Sequence, residues 1–102
     1  MSAETSTEQE PTYRLPSETA LQSAAKIAMV EDMPIMLDYW TLSLDRKIII
    51  GVRENGEKML VKSAEEYTSV VQKIYKVNDE YLVCTENSLY IVDTSCPTKR
   101  IS

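Results

Sequence analysis

The sequence predicts a mainly β protein: a small antiparallel meander barrel or curled sheet of five or six strands, about the size of an SH3 domain, preceded by an extended arm and one short helix. Three observations carry this reading. Asn55-Gly56 sits between two apolar runs, which is a hairpin signal. Residues 70–93 hold short apolar stretches separated by the turn-formers Asn78-Asp79 and Glu86-Asn87. A chain of 102 residues with two glycines and four prolines has room for one modest core, and its composition excludes collagen-like or low-complexity architecture.

Residues 1–16, MSAETSTEQEPTYRLP, have no periodicity and few apolar groups, and they read as an extended or disordered arm. Tyr13 and Leu15 are its anchors if it is held, being its large side chains besides Met1. Residues 17–32 read as a helix. Ser17 is the expected N-cap, and Glu18 suits the positive end of the helix dipole. Leu21, Ala24, Ala25 and Ala28 recur at helical spacing and form an alanine-rich face. That face packs either on the protein's own sheet or in a partner's groove. Pro34 ends the element, because the residue before proline avoids helical angles.

The β domain is expected over residues 35–102, opening with a strand from Ile35 to Leu42. A two-residue type I′ turn at Asn55-Gly56 sets Glu54 opposite Glu57, Val52 opposite Met59 and Ile50 opposite Val61, with the apolar pairs on one face. Residues 64–69 read as a connector. In the meander that follows, Tyr75, Leu82, Cys84, Leu89 and Ile91 share one side, and Ile74, Tyr81, Val83, Tyr90 and Val92 share the other. Both sides are apolar, whereas a freestanding antiparallel sheet keeps one polar face. Something must therefore cover the second face: the rest of a barrel, the helix, or a partner. The tail through Ile101 adds a short edge strand. A single propeller blade has similar strand spacing, but it cannot bury both faces alone and no repeat of it is present in the sequence.

Net charge is −5, and the imbalance is local: residues 1–34 carry six acids and two bases, residues 35–102 ten acids and nine bases. An acidic arm repels phosphate and anionic lipid, so neither nucleic acid nor membrane is an expected partner. No apolar run is long enough for a membrane helix, and the first residues do not read as a secretory signal. Cys84 and Cys96 do not make a disulfide framework and are read as reduced, in a cytosol-like compartment.

Histidine is absent, which removes His-dependent triads, most zinc sites and the usual acid–base group near neutral pH. The two cysteines lack zinc or redox spacing, and no glycine-rich phosphate loop occurs. No cofactor or metal is expected. Glu65-Glu66 and Asp79-Glu80 read as solvated turn pairs, since neighbours on a strand point to opposite faces. Asp38, beside Tyr39 and Trp40, is the one carboxylate read as partly buried. It serves either as a shifted acid or, the preferred reading, as a partner of a nearby amide or base. Trp40 and the tyrosines supply all the aromatics; core packing is the plainer role, and an interface patch including Tyr39, Trp40, Tyr81 and Tyr90 the functional one.

The run from Leu37 to Asp93 carries the strings DYW at 38–40, GVRENGEKMLVK at 51–62, EEYTS at 65–69 and TENSLYIVD at 85–93. In these it is similar to small uncharacterised proteins of nucleocytoplasmic large DNA viruses. The first 34 residues take no part in that resemblance, and it brings no activity or site residues with it. It implies a viral protein made in the cytoplasm and placed in the particle, where a small β module with an arm suits a minor capsid or cementing role.

The expected function is therefore non-catalytic: a structural or assembly protein that binds other proteins, within a multi-subunit assembly or as a homo-oligomer. Its expected contacts are Tyr13, Leu15, Leu21, Ala25, Ala28, Tyr39, Trp40, Tyr81 and Tyr90. A soluble peptide-binding regulatory module is the alternative, and an enzyme built on Asp38 the third reading.

Overall fold

The computed structural model describes residues 14–101. The chain is mainly β, in three layers: a main helix, a four-stranded sheet and a three-stranded sheet, with a second, short helix beside the larger sheet. Helix α1 spans Glu18–Glu31. Ser17 caps it as expected, its Oγ accepting from the Ala20 amide at 3.1 Å. At the other end Asp32 takes a left-handed conformation (φ 56°), and the Met33 amide donates to the Ala28 carbonyl at 3.1 Å.

The expected strand over Ile35–Leu42 is mostly a different structure. Strand β1 is only Ile35–Met36, and a short helix α2 follows at Trp40–Leu44. Helical spacing puts Trp40, Ser43 and Leu44 inward together, which a strand over the same residues does not do. Asp38 is exposed in the turn between them, not partly buried.

Strands β2 (Ile49–Val52) and β3 (Lys58–Val61) form the hairpin, one residue out of the expected register. Val52 pairs with Lys58, Gly51 with Met59, Ile50 with Leu60 and Ile49 with Val61. The loop holds three residues, not two. The Arg53 amide donates to the Glu57 carbonyl at 2.8 Å, and Gly56 donates back to Arg53 at 2.9 Å. Gly56 has φ 91° while Asn55 keeps a negative φ, so this is a type I turn closed by a left-handed glycine, not type I′. The slip separates the expected apolar face: Ile50 and Leu60 enter the core, while Met59 and Val61 point the other way.

The meander is as read: β4 (Val71–Val77), β5 (Glu80–Thr85) and β6 (Leu89–Asp93), with β7 (Thr98–Arg100) as the short edge strand. The larger sheet runs β1-β6-β5-β4 and the smaller β3-β2-β7. The sheets do not close into a barrel. The pairing is also not wholly antiparallel, because β1 joins β6 and β7 joins β2 in parallel.

The two-faced meander finds both its covers. Leu82, Cys84, Leu89 and Ile91 pack with Ala20, Ala24 and Trp40 under α1. Val83 and Val92 pack with Ile48, Ile50, Leu60 and Cys96 against the smaller sheet. The two cysteines are free and lie in different cores on opposite faces of the larger sheet. Burial pushes both thiols up, that of Cys96 to about 11.

The buried face of α1 is Ala20, Ala24 and Ile27, rotated from the expected one, and Leu21 and Ala25 point outward. Alanine at 20 and 24 brings the helix axis close to the sheet, where a larger side chain has no room. Ala24→Leu is therefore expected to lose about 1–3 kcal/mol of stability through overpacking. Ala25→Leu should stay within about 0.5 kcal/mol of the parent. Urea unfolding of the two variants separates the faces, and equal losses would contradict this packing.

Candidate functional site

Arg14, Ser17, Glu80 and Asp93 form a charged cluster that fixes where α1 lies. Glu80 and Asp93 are direct cross-strand neighbours at the ends of β5 and β6. Like charges so placed repel. Arg14 bridges them, one guanidinium nitrogen donating to Glu80 Oε2 at 2.6 Å and the other to Asp93 Oδ1 and to the Asp79 carbonyl. Glu80 is 1% exposed. Its oxygens also accept from the Ser17 amide at 3.1 Å and the Ser17 hydroxyl at 2.9 Å. A buried carboxylate with this many donors is satisfied as an ion.

Trp40 completes the clamp. Its ring lies 5.0 Å from the Arg14 guanidinium, and its indole N–H donates to the Arg14 carbonyl at 2.9 Å. Asp93 ties in α2, because its amide donates to Ser43 Oγ at 2.8 Å. Burial pushes Glu80 and Asp93 up, but hydrogen bonds and charge outweigh it: Arg14 and Ser17 hold Glu80 below the usual range, and Ser95 and Arg14 do the same for Asp93. The hydrogen bond to Glu80 in turn raises Arg14. This is structural chemistry. The carboxylates are held ionised and occupied, not poised to exchange a proton near neutral pH.

With its inner face fixed, α1 presents its other face to solvent. Leu21, Ala25 and Met29 recur at i, i+4 and i+8 along it, with Leu21 38% and Met29 75% exposed; Val30, about 100° further round the helix from Met29, is 80% exposed. Leu15, just ahead of the helix, is 78% exposed. Large apolar groups placed together on one exposed helix face are the usual material of an interface.

The remaining expected contact residues lie elsewhere. Ala28 is half-buried on α1. Trp40 is buried in the core, which leaves it nothing to offer a partner. Tyr39, Tyr81 and Tyr90 are half-buried and pack on the second core, with the Tyr39 and Tyr90 rings 5.6 Å apart. They do not meet the α1 face, since the sheet stands between. Tyr13 lies outside the described residues. The sequence reading passed over Met29 and Val30, although Met29 continues the spacing from Leu21 and Ala25. It also read Asp79-Glu80 as a solvated pair, whereas Glu80 is among the most buried side chains.

Among the described residues no group of three or more His, Cys, Asp or Glu is arranged to hold a metal, and no helix is long and apolar enough to cross a membrane. Comparison with protein-family models, with curated proteins and with solved structures finds no match to this chain.

The clamp makes a pH-dependent prediction. Both carboxyl pKa values are depressed, so their contribution is complete above the ordinary range near 4 and is lost as pH falls through the lower folded values. Arg14→Met leaves Glu80 and Asp93 facing each other without a cation. We expect it to cost about 1–3 kcal/mol at pH 7, with the difference from the parent narrowing as pH is lowered towards 3. Urea unfolding at the two pH values measures this; a cost independent of pH would show that the clamp does not act through charge.

Proposed function

We propose that this protein is a non-catalytic structural or assembly component that binds neighbouring proteins through the outward face of α1. One observation carries the reading: the Leu21–Ala25–Met29 stripe lies on a helix whose other face is already packed on the sheet. The stripe is thus not needed for the protein's own core. The outward side also carries exposed Glu18, Gln22 and Lys26, so the stripe is an apolar strip within a polar surface, the makeup of a contact with an apolar centre and a polar rim. The arm enters α1 directly through Arg14 and Leu15, so it leads to the same contact region. The finer reading is a minor component of a large DNA virus particle, made in the cytoplasm; it rests on the strings of residues 37–93 quoted above.

A version starting at Pro34 would not test this cleanly, because it removes Ala20, Ala24 and Ile27 and uncovers the first core. Exposed positions on the full-length chain serve better. The double variant Leu21→Lys, Met29→Glu is expected to keep the parent's thermal midpoint within about 4–8 °C, since exposed changes seldom exceed about 0.5 kcal/mol each and about 1 kcal/mol moves a domain of this size by that amount. It should lose incorporation into any assembly of defined stoichiometry seen for the parent by native mass spectrometry. Full incorporation of the variant would remove α1 from the contact.

A further inference from the structure

The two sheets have four edges among the described residues, and three of them are closed or short. Strand β1 has two residues and β7 three, too few to template another strand. The outer side of β3 is taken by the connector: the Thr68 amide donates to the Leu60 carbonyl at 3.0 Å, the Leu60 amide to Thr68 Oγ1 at 3.1 Å, and the Lys62 amide to the Glu66 carbonyl at 2.9 Å. The fourth edge, β4, is at seven residues the longest strand among the described residues, and among these it pairs only with β5. Because Val77 and Glu80 flank a two-residue loop, they form the closing hydrogen-bonded pair. Bonded and non-bonded pairs then alternate, so Lys73, Tyr75 and Val77 turn their backbone groups to β5, while those of Ile74 and Lys76 point away from the sheet.

Grooves flank this edge above and below. On the upper side the space between β4 and α1 amounts to about 500 Å³ and includes Ile27, Met33, Tyr75 and Cys84. On the lower side a space of about 510 Å³ lies between β4 and the hairpin tip, with Asn55, Val71 and Ile74 among its walls. A strand laid beside β4 would send alternate side chains into one groove and then the other, the arrangement by which sheet edges select extended peptides.

Charge says which peptide. In a chain of net charge −5, β4 carries two lysines and no acid. Lys73 and Lys76 are exposed and, three residues apart, project to opposite faces. Lys26 joins the upper side and Lys58 the lower, where Glu57 stands beside Lys58 at the hairpin tip, so the basic charge facing the edge comes mainly from Lys73 and Lys76 themselves. Glu31 and Glu86 line the upper groove beyond Lys73, where the β-bulge after Val71 ends the regular ladder, and so limit the matching stretch to about residues 73–77. Pairing of β4 with a second copy of itself would bring these lysines near each other, and like charges across a ladder are unfavourable. We propose that the β4 edge captures an extended segment of another protein by strand addition, and that the segment carries two acids three residues apart among β-branched residues. This rests on the reading of the chain as a protein-binding component, but it uses a surface other than the outward face of α1.

The probe is the fluorescein-labelled peptide Thr-Glu-Val-Val-Glu-Val-Thr, with its Glu-to-Lys counterpart as control, titrated against the full-length chain. Saturable binding of the acidic peptide is expected by anisotropy, with amide shift changes over residues 71–77 and slowed hydrogen exchange at Ile74 and Lys76. Lys73→Glu with Lys76→Glu should weaken the acidic peptide about tenfold and favour the basic one, the effect of reversing two cross-strand charge pairs. Both lysines are exposed, so the fold should survive, as circular dichroism would check. Absence of binding, equal affinity for both peptides, shifts mapping away from β4, or self-association through β4 would each overturn the proposal. The Leu21→Lys, Met29→Glu variant should bind the peptide unchanged. Failure at β4 with assembly still lost in that variant would remove the edge proposal alone; the converse would remove the α1 reading alone.

Discussion

The bridge from Arg14 to Glu80 and Asp93 is the constraint on which the layered arrangement turns. Two acids face each other at the ends of the most buried strands, and without a cation that pairing opposes the sheet it closes. Arg14 comes from 66 residues before Glu80 and supplies the missing charge. Its position then dictates others. Ser17 must stand beside Glu80, which starts α1 at the β4–β5 turn, where Asn78 also donates to Ser17 Oγ at 3.3 Å. Trp40 must lie beneath the guanidinium, which fixes α2 against β6. A hydrophobic interface alone is non-directional and would tolerate a sliding helix. The charged cluster gives α1 a fixed starting point, and the alanines then determine how closely it lies.

The meander explains why so short a chain has three layers. A sheet apolar on both faces needs two covers, and 102 residues supply both only if each is small. One helix covers the first face with two alanines and Ile27. A three-stranded sheet covers the second through Ile48, Ile50 and Leu60. The result is an open stack, not a barrel, and open stacks leave edges. Shortness protects β1 and β7, and the connector protects β3. Along β4 the protection is two lysines, which prevent self-pairing without occupying the backbone groups.

What was legible in the sequence followed from local periodicity. Alternation along residues 70–93 assigned Leu82, Cys84, Leu89 and Ile91 to one core and Val83 and Val92 to the other, because period two is a property of the strand itself. Ser17 was legible as a cap because the amide its hydroxyl satisfies, that of Ala20, is only three residues away. Misreadings arose where local patterns were degenerate. Asn55-Gly56 fits a two-residue or a three-residue loop, and the choice moved every pair by one. Leu37–Leu44 has apolar groups compatible with either period, and burial of Trp40 beneath Arg14 decided for helix. Leu21, Ala24, Ala25 and Ala28 were grouped on one face that could pack on the sheet or on a partner, and the fold divides them: Ala24 is buried against the sheet with Ala20, while Leu21 and Ala25 stay exposed. The charged cluster was not legible at all, since nothing near Glu80 in sequence shows that Arg14 will arrive.

These misreadings bear on where a partner can touch. Hydrophobicity alone nominated Trp40, Tyr39 and Tyr90, but the fold uses them internally, Trp40 beneath the arm and the tyrosine pair against the second core. Hydrophobicity that the fold leaves unused is the more telling quantity. Among the described residues, three of the seven large exposed apolar groups, Leu21, Met29 and Val30, lie on α1, with Leu15 just ahead of it; α1 is also the element held at its start by the Arg14 and Ser17 contacts. A rigid helix presents its outward groups at fixed spacing, so a partner of the kind proposed would meet Leu21, Ala25 and Met29 with little ordering left to do. The same clamp that resolves the Glu80–Asp93 repulsion thus preorganises the surface that the core does not need.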